Sequence, residues 1–205
     1  NLTVWILKCD IRKFFASVDQ AILTMILSRH IQDKDIRWLL DRVISSFNSK
    51  KTGVGLPLGN LTSQLLVNIY MNEFDQFVKR ELKQKYYIRY ADDFVFMHHD
   101  RALLENLLPK VRDFLYDRLK LTLHPDKVFI KTVVSGVDFL GWVHFPHHRV
   151  LRTSTKKRMF KKMRVSELKQ EVVQSYLGLL SHGDAYEMSN MVKAYKIAQA
   201  PNWEY

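Results

Sequence analysis

The chain has one cysteine, Cys9, so it can form no internal disulfide. That cysteine lies in a strand-like run, where a small buried hydrophobe is its ordinary use, and thiol chemistry is set aside. No apolar stretch reaches membrane-spanning length, and the opening NLTVWILKCDIRKFF carries charges within its first apolar run. A signal peptide pattern is therefore missing, and a soluble, intracellular protein is expected, with no membrane partner. Glycine and proline are scarce, at 7 and 5 of 205 residues, while 47% of the chain is hydrophobic. This excludes disorder for the chain as a whole and predicts one sizeable core, or one core with a helical appendage. Acids are also in short supply: 21 against 32 Lys and Arg leave a net charge of +11, which implies an anionic partner. Between Arg149 and Lys169, nine Lys or Arg residues face a single acid, Glu167. A basic face is the simplest reading, with an ordinary solvated helix surface as the alternative.

The pattern along the chain predicts a strand over residues 3–10 that ends on Asp10. Ser17 and Gln20 form a capping-box start for a helix carrying Ile22, Met25, Ile26 and Arg29 on one face. A second helix is expected over 34–47, with Ile36, Leu39, Leu40, Val43, Ile44 and Phe47 as its apolar side. The loop NSKKTGVGLPLGN then holds three of the seven glycines, a break that lets backbone approach a ligand closely. A long amphipathic helix follows over 62–83, through Leu65, Leu66, Ile69, Tyr70, Phe74, Phe77 and Val78. YYIRYA and FVFMHH read as two short strands joined by a tight turn, and 101–119 returns to helical period. KVFIKTV, GVDFLGWVHF and HRVLR read as further strands. The end is helical and basic over 154–198, with Ser166 and Glu167 opening its second helix. The order β, αα, β-hairpin, α, then several β predicts an α+β fold, an antiparallel sheet with helices on one face, and a boundary near residue 152.

Asp92 and Asp93 interrupt the apolar run YIRYADDFVFM. A turn is an ordinary place for Asp. The flanking Tyr90, Phe94, Val95, Phe96 and Met97, however, point to central strands, where carboxylates are costly unless a cation compensates them. Hard oxygen ligands select Mg²⁺, with Mn²⁺ as the alternative. If the strand ending on Asp10 lies beside the hairpin, Asp10 and Asp92 emerge at one sheet edge, where two metals suit in-line phosphoryl displacement.

In these motifs the chain resembles the reverse transcriptases over nearly its whole length. CDIRKFFASVD resembles the first palm motif, which implies Asp10 as a metal ligand and Phe15 as the aromatic beneath the sugar of the incoming nucleotide. LPLGNLTSQ resembles the next motif, which implies that Leu58, Gly59 and Gln64 shape the dNTP pocket. YADD resembles the metal-binding hairpin, implying Asp92 and Asp93 as ligands beside the backbone carbonyl of Ile11. LTLHPDKV resembles the element whose lysine, here Lys127, protonates the pyrophosphate leaving group, and FLGW resembles the primer grip, with Trp142 near the primer end or in the core. QSYLGLLSHGDAYEM resembles the start of a thumb.

The resemblance implies a palm with residual fingers elements over 1–151 and a partial basic thumb over 152–205. It also implies an RNA-directed DNA polymerase using two Mg²⁺ ions, with RNA template, DNA or RNA primer, dNTPs and an accessory protein subunit as partners. The expected setting is the cytoplasm of a bacterium, or a phage-encoded protein. A fuller fingers subdomain belongs ahead of the first motif, so the chain is expected to be a fragment with little activity alone. Its GxxxSQ form, with Leu58, Gly59, Ser63 and Gln64, resembles diversity-generating retroelement enzymes and implies error-prone copying of template adenines. The alternatives are a group II intron-type or abortive-infection reverse transcriptase, or a palm serving as a non-catalytic RNA-binding scaffold.

Overall fold

A computed structural model describes residues 3–165 and 170–198. Two compact units divide between Lys131 and Thr132, rather than at the composition change near 152. In the first unit, β1 (Trp5–Asp10) lies inside a four-stranded sheet of order β2-β3-β1-β4, with β2 Tyr87–Tyr90, β3 Asp93–His98 and β4 Phe129–Thr132. β3 runs antiparallel to both β1 and β2. WILKCD is buried along most of its length instead of alternating, with Ile6 and Lys8 buried on one face and Leu7 and Cys9 on the other.

One face of β1 and β3 presents Leu7, Cys9, Phe94 and Phe96 to the core. The helices that contribute to this core are α2 (Gln20–His30), α4 (Leu61–Gln76) and α5 (Arg101–Leu119), with a short α1 (Phe14–Ser17) ahead of them. The Phe74 ring of α4 sits 5.0 Å from Phe94. Fully burying side chains of this size contributes roughly 1.5–3 kcal/mol each.

Several expectations are corrected. The cap of α2 is Asp19, whose carboxylate accepts the Ile22 N–H at 3.0 Å. Ser17 instead ends α1 and donates to the Arg12 carbonyl. The next helix, α3 (Lys34–Ser45), has the expected period, yet Ile36, Leu39 and Val43 on its apolar side are exposed and only Ile44 is buried. Periodicity groups residues on a face but does not supply a layer to cover it. The α-helical part of α4 stops at Gln76 and continues as a π-helical turn, Phe77–Glu81, while Leu65 on its expected apolar side is exposed. α5 forms over the predicted residues.

The second unit holds its own three-stranded antiparallel sheet, so the described residues form two sheets where one was expected. GVDFLGWVHF is split into β5 (Val137–Phe139) and β6 (Trp142–His144), and β7 covers Arg149–Leu151. Leu140 and Gly141, both with positive φ (52° and 85°), make the tight turn between β5 and β6. The helices are α6 (Thr153–Val165), α7 (Gln170–Leu180) and α8 (Tyr186–Ala198); Ser166 and Glu167 lie outside the described residues. Trp142 is buried among Met159, Met163, Val173 and Leu180, a core tryptophan. No helix among the described residues is long and apolar enough to cross a membrane.

Gly183, in the α7–α8 connection, lies so close to Trp142 that an added Cβ would stand 2.1 Å from the ring. Gly183→Ala should therefore cost about 1–3 kcal/mol by overpacking. The check is a urea titration followed by Trp fluorescence, with a lowered midpoint expected; an unchanged midpoint would refute the packing.

Candidate active site

The β1–β3 register sets Asp10 directly opposite Asp93, and the β2–β3 register leaves Ala91 and Asp92 as the two turn residues. A backbone hydrogen bond holds the turn against β1. The Ile11 N–H donates to the Asp92 carbonyl at 3.2 Å, and Ala91 takes a φ of 52°, unusual for a residue with a Cβ. Arg89 reinforces it from below. Its guanidinium clamps both carboxylate oxygens of Asp75 on α4, at 2.9 and 2.6 Å, and donates to Asn68 and to the Ala91 carbonyl. The buried guanidinium thus anchors the hairpin tip to α4.

Lys127 arrives from the other side. Backbone bonds from His124 to the Asp10 carbonyl and from Arg12 to the Thr122 carbonyl, at 2.8 and 2.9 Å, bring the segment around it alongside the end of β1. A 3₁₀ turn, Pro125–Lys127, capped by His124 Nδ1, then places Lys127 Nζ 3.2 Å from both Asp10 oxygens. Asp10, Asp92, Asp93 and Lys127 are thus gathered at one place, together with the Ile11 backbone.

Lys8 was not singled out from the sequence. It shares a face of β1 with Asp10, is 94% buried by its 6% exposure, and pairs with Asp93 Oδ2 at 3.0 Å. Asp93 Oδ1 is buried and accepts no hydrogen bond. Burial pushes the carboxyls of Asp92 and Asp93 above the ordinary range, with Asp10 adding to the effect, although Lys8 and Lys127 oppose it at Asp92 and Lys8 opposes it at Asp93. The two lysines therefore compensate the acids only in part.

These features fit divalent cations: hard oxygen donors, a buried oxygen with no partner, and carboxylates whose charge is incompletely offset. No group of three His, Cys, Asp or Glu side chains among the described residues is arranged to hold a metal. A cation here would take one or two carboxylates and complete its shell with backbone, water or phosphate oxygens, as Mg²⁺ commonly does.

Of the expected nucleotide-pocket residues, Leu58 and Gly59 lie on a neighbouring loop, Gln64 in the first turn of α4 and Phe15 in α1. The Leu56 N–H donates to the Phe15 carbonyl at 2.8 Å, and the Gly55 N–H to Val18 at 2.7 Å. Gln20, buried, donates to the carbonyls of Gly55 and Phe47 and fixes that loop from beneath. The loop carrying LPLGNLTSQ is thereby tied to the segment carrying Phe15, which is half-buried against the core with its ring edge-on to Phe14. Leu58 (77% exposed), Gly59 (φ 91°) and Gln64 are exposed and do not form a closed pocket.

Because burial raises the Asp92 carboxyl, the share of stability it contributes is present below the ordinary carboxylate range and is lost as pH rises through the raised value. In cation-free buffer, Asp92→Asn should therefore melt at a higher temperature than the parent at pH 7. The gap should close as pH falls below about 4, where both side chains are neutral. A parent melting curve that rises with pH over that window, with no gain from the substitution, would refute this account.

Over 86% of its length the chain is 29% identical to Protein YkfC of Escherichia coli (strain K12), and it covers 54% of that protein. Over 58% of its length it is 28% identical to the group II intron-encoded protein LtrA of Lactococcus lactis subsp. cremoris, covering 18% of it. The chain thus spans about half the length of the first relative and less of the other. A telomerase of Candida albicans, solved with a fragment of telomeric RNA, shares the fold at TM-score 0.56 and 12% identity, over 94% of this chain and 40% of that one. A foamy viral protease-reverse transcriptase solved with an RNA/DNA hybrid does so at 0.53 and 20%, over 87% and 21%. Residues 1–144 match the family described as reverse transcriptase (RNA-dependent DNA polymerase), and the chain belongs to that family.

Proposed function

We propose that this chain carries the nucleotidyl-transfer site of an RNA-directed DNA polymerase that copies an RNA template into DNA from dNTPs. The observation that carries this reading is the register that sets Asp10 opposite Asp93 while the Ile11 N–H holds the Asp92 turn beside them. Asp10, Asp92, Asp93 and the Ile11 carbonyl would hold two Mg²⁺ ions. Bound there, the ions would favour the ionised form of a primer hydroxyl and stabilise the leaving oxygens. Lys127, whose Nζ lies 3.2 Å from both Asp10 oxygens, is the proposed proton donor to the departing pyrophosphate. Phe15, whose backbone carries the neighbouring loop, is the proposed barrier to a 2′-hydroxyl, and Leu58, Gly59 and Gln64 border the proposed nucleotide pocket.

Nucleic-acid binding is supported by α6. Met159 and Met163 turn inward to the core of the second unit, while Lys156, Lys157, Arg158, Lys161 and Lys162 are exposed. Such a helix suits phosphate contact, which gives affinity without sequence reading and weakens steeply with salt. A non-catalytic scaffold would have no use for the half-buried Asp92 and Asp93, whose carboxyls burial raises at a cost to stability.

Two lineages compete for the finer assignment. The GxxxSQ form favours a diversity-generating retroelement enzyme, and the match to the LtrA protein favours a group II intron-type enzyme. Leu58 offers only apolar contact where an amide could hydrogen-bond the nucleotide, so discrimination at that position would be reduced.

The function is tested by primer extension on an RNA template with the full-length protein. Mg²⁺-dependent product is expected, with none from Asp92→Ala; extension unaffected by that substitution would refute the site. Phe15→Ala should raise ribonucleotide incorporation by about tenfold or more, as expected when a steric barrier to one hydroxyl is removed. Leu58→Gln should change the error spectrum at template adenines more than it changes turnover, and identical spectra would set aside the retroelement lineage.

A further inference from the structure

Lys8 is the most deeply buried cation described at the site, and the proposed mechanism leaves it without a role. It projects from the same face of β1 as Asp10, two residues before it, and crosses diagonally to Asp93 on β3. A buried ammonium is costly unless it is paired. Purely structural needs at a central strand would be met by an apolar residue, as at Leu7 and Cys9 beside it. The pairing is also selective within the carboxylate. Lys8 Nζ holds Oδ2 at 3.0 Å, while Oδ1 of the same group is buried with no hydrogen-bond partner.

We infer that Lys8 is a positioning residue that occupies one oxygen of Asp93 and so presents the other as a single, monodentate oxygen toward divalent cations. This rests on the reading of the site as a divalent-cation site for nucleotidyl transfer. Two consequences follow from charge and geometry. With Oδ2 held, Asp93 cannot swing to chelate a cation through both oxygens, which keeps the ion free to accept phosphate oxygens. The ammonium also places one positive charge beside the cations, so it weakens their binding. Lys8 therefore trades divalent affinity for a ligand geometry that turns over. Asp10 is treated differently: Lys127 bonds both of its oxygens, and that lysine is more than half exposed, a contact open to exchange.

The test uses Lys8→Met and Lys8→Arg in the full-length protein, with Mn²⁺ binding followed by electron paramagnetic resonance in the absence of nucleotide, beside primer extension. Lys8→Met should bind Mn²⁺ about tenfold more tightly, as expected for removing a unit charge from beside a divalent ion in a half-buried site. Its kcat should fall at least as far while the Mg²⁺ midpoint drops. Lys8→Arg, which keeps the charge, should restore the parent midpoint. A role confined to folding would lower activity without tightening Mn²⁺ binding, and that result, or unchanged affinity and turnover, would overturn the inference. Should Lys8→Met fail to fold, Lys8→Met/Asp93→Asn removes both partners of the pair, and it should fold and bind Mn²⁺ no more tightly than the parent; tenfold tighter binding there would also overturn it. A parent protein that binds no Mn²⁺ would refute the underlying function instead, so the two failures are distinguishable.

Discussion

The site depends on the pairing register between β1 and β3. Because side chains alternate along a strand, sliding β3 by one residue would carry Asp93 and Val95 to the core face and Phe94 and Phe96 to the other. The aromatic residues therefore lock the acids in place. Phe94 and Phe96 are fully buried against α4 and α5, and the cost of exposing either ring far exceeds what the carboxylates gain by moving. Arg89 extends the same control to the hairpin tip, since its grip on Asp75 and Asn68 transmits the position of α4 to the Ala91 carbonyl.

Charge is the second constraint. Three carboxylates meet two lysines at the edge of the first sheet, and the lysines differ in kind. Lys8 is buried and directed at one oxygen of Asp93; Lys127 is largely exposed and spread over both oxygens of Asp10. Raised carboxyls at Asp92 and Asp93 show that this compensation is incomplete in the protein alone. Sites that tolerate such a cost are disproportionately functional, because a ligand can recover it.

Legibility in the sequence followed the strength of the local physics. Asp10, Asp92 and Asp93 stood out because carboxylates within apolar strand-like runs are improbable without a purpose, and the structure gathers all three. α5 is readable to its ends because its helical period and its buried face agree. Lys8 is not, since a lysine in a strand reads as a solvent-facing position unless the strand is known to be central. Asp19 and Ser17 are both good caps, and only the course of the chain through Phe14–Ser17 decides between them. The exposed stripe on α3 shows the limit of periodicity, which cannot say whether anything packs against a face. The separate sheet of β5, β6 and β7 was hidden because the turn at Leu140 and Gly141 interrupts what otherwise looks like one strand.

The central claim is that the carboxylates at this sheet edge are held short of full compensation so that divalent cations can bind there. It is tested most directly by thermal unfolding of the full-length protein with and without Mg²⁺, for the parent and for Asp10→Asn. The parent should gain several degrees in melting temperature at millimolar Mg²⁺, as expected for a ligand that binds only the folded state, and Asp10→Asn should gain little or nothing. A parent melting temperature that Mg²⁺ leaves unmoved, or an equal gain in both proteins, would contradict the account.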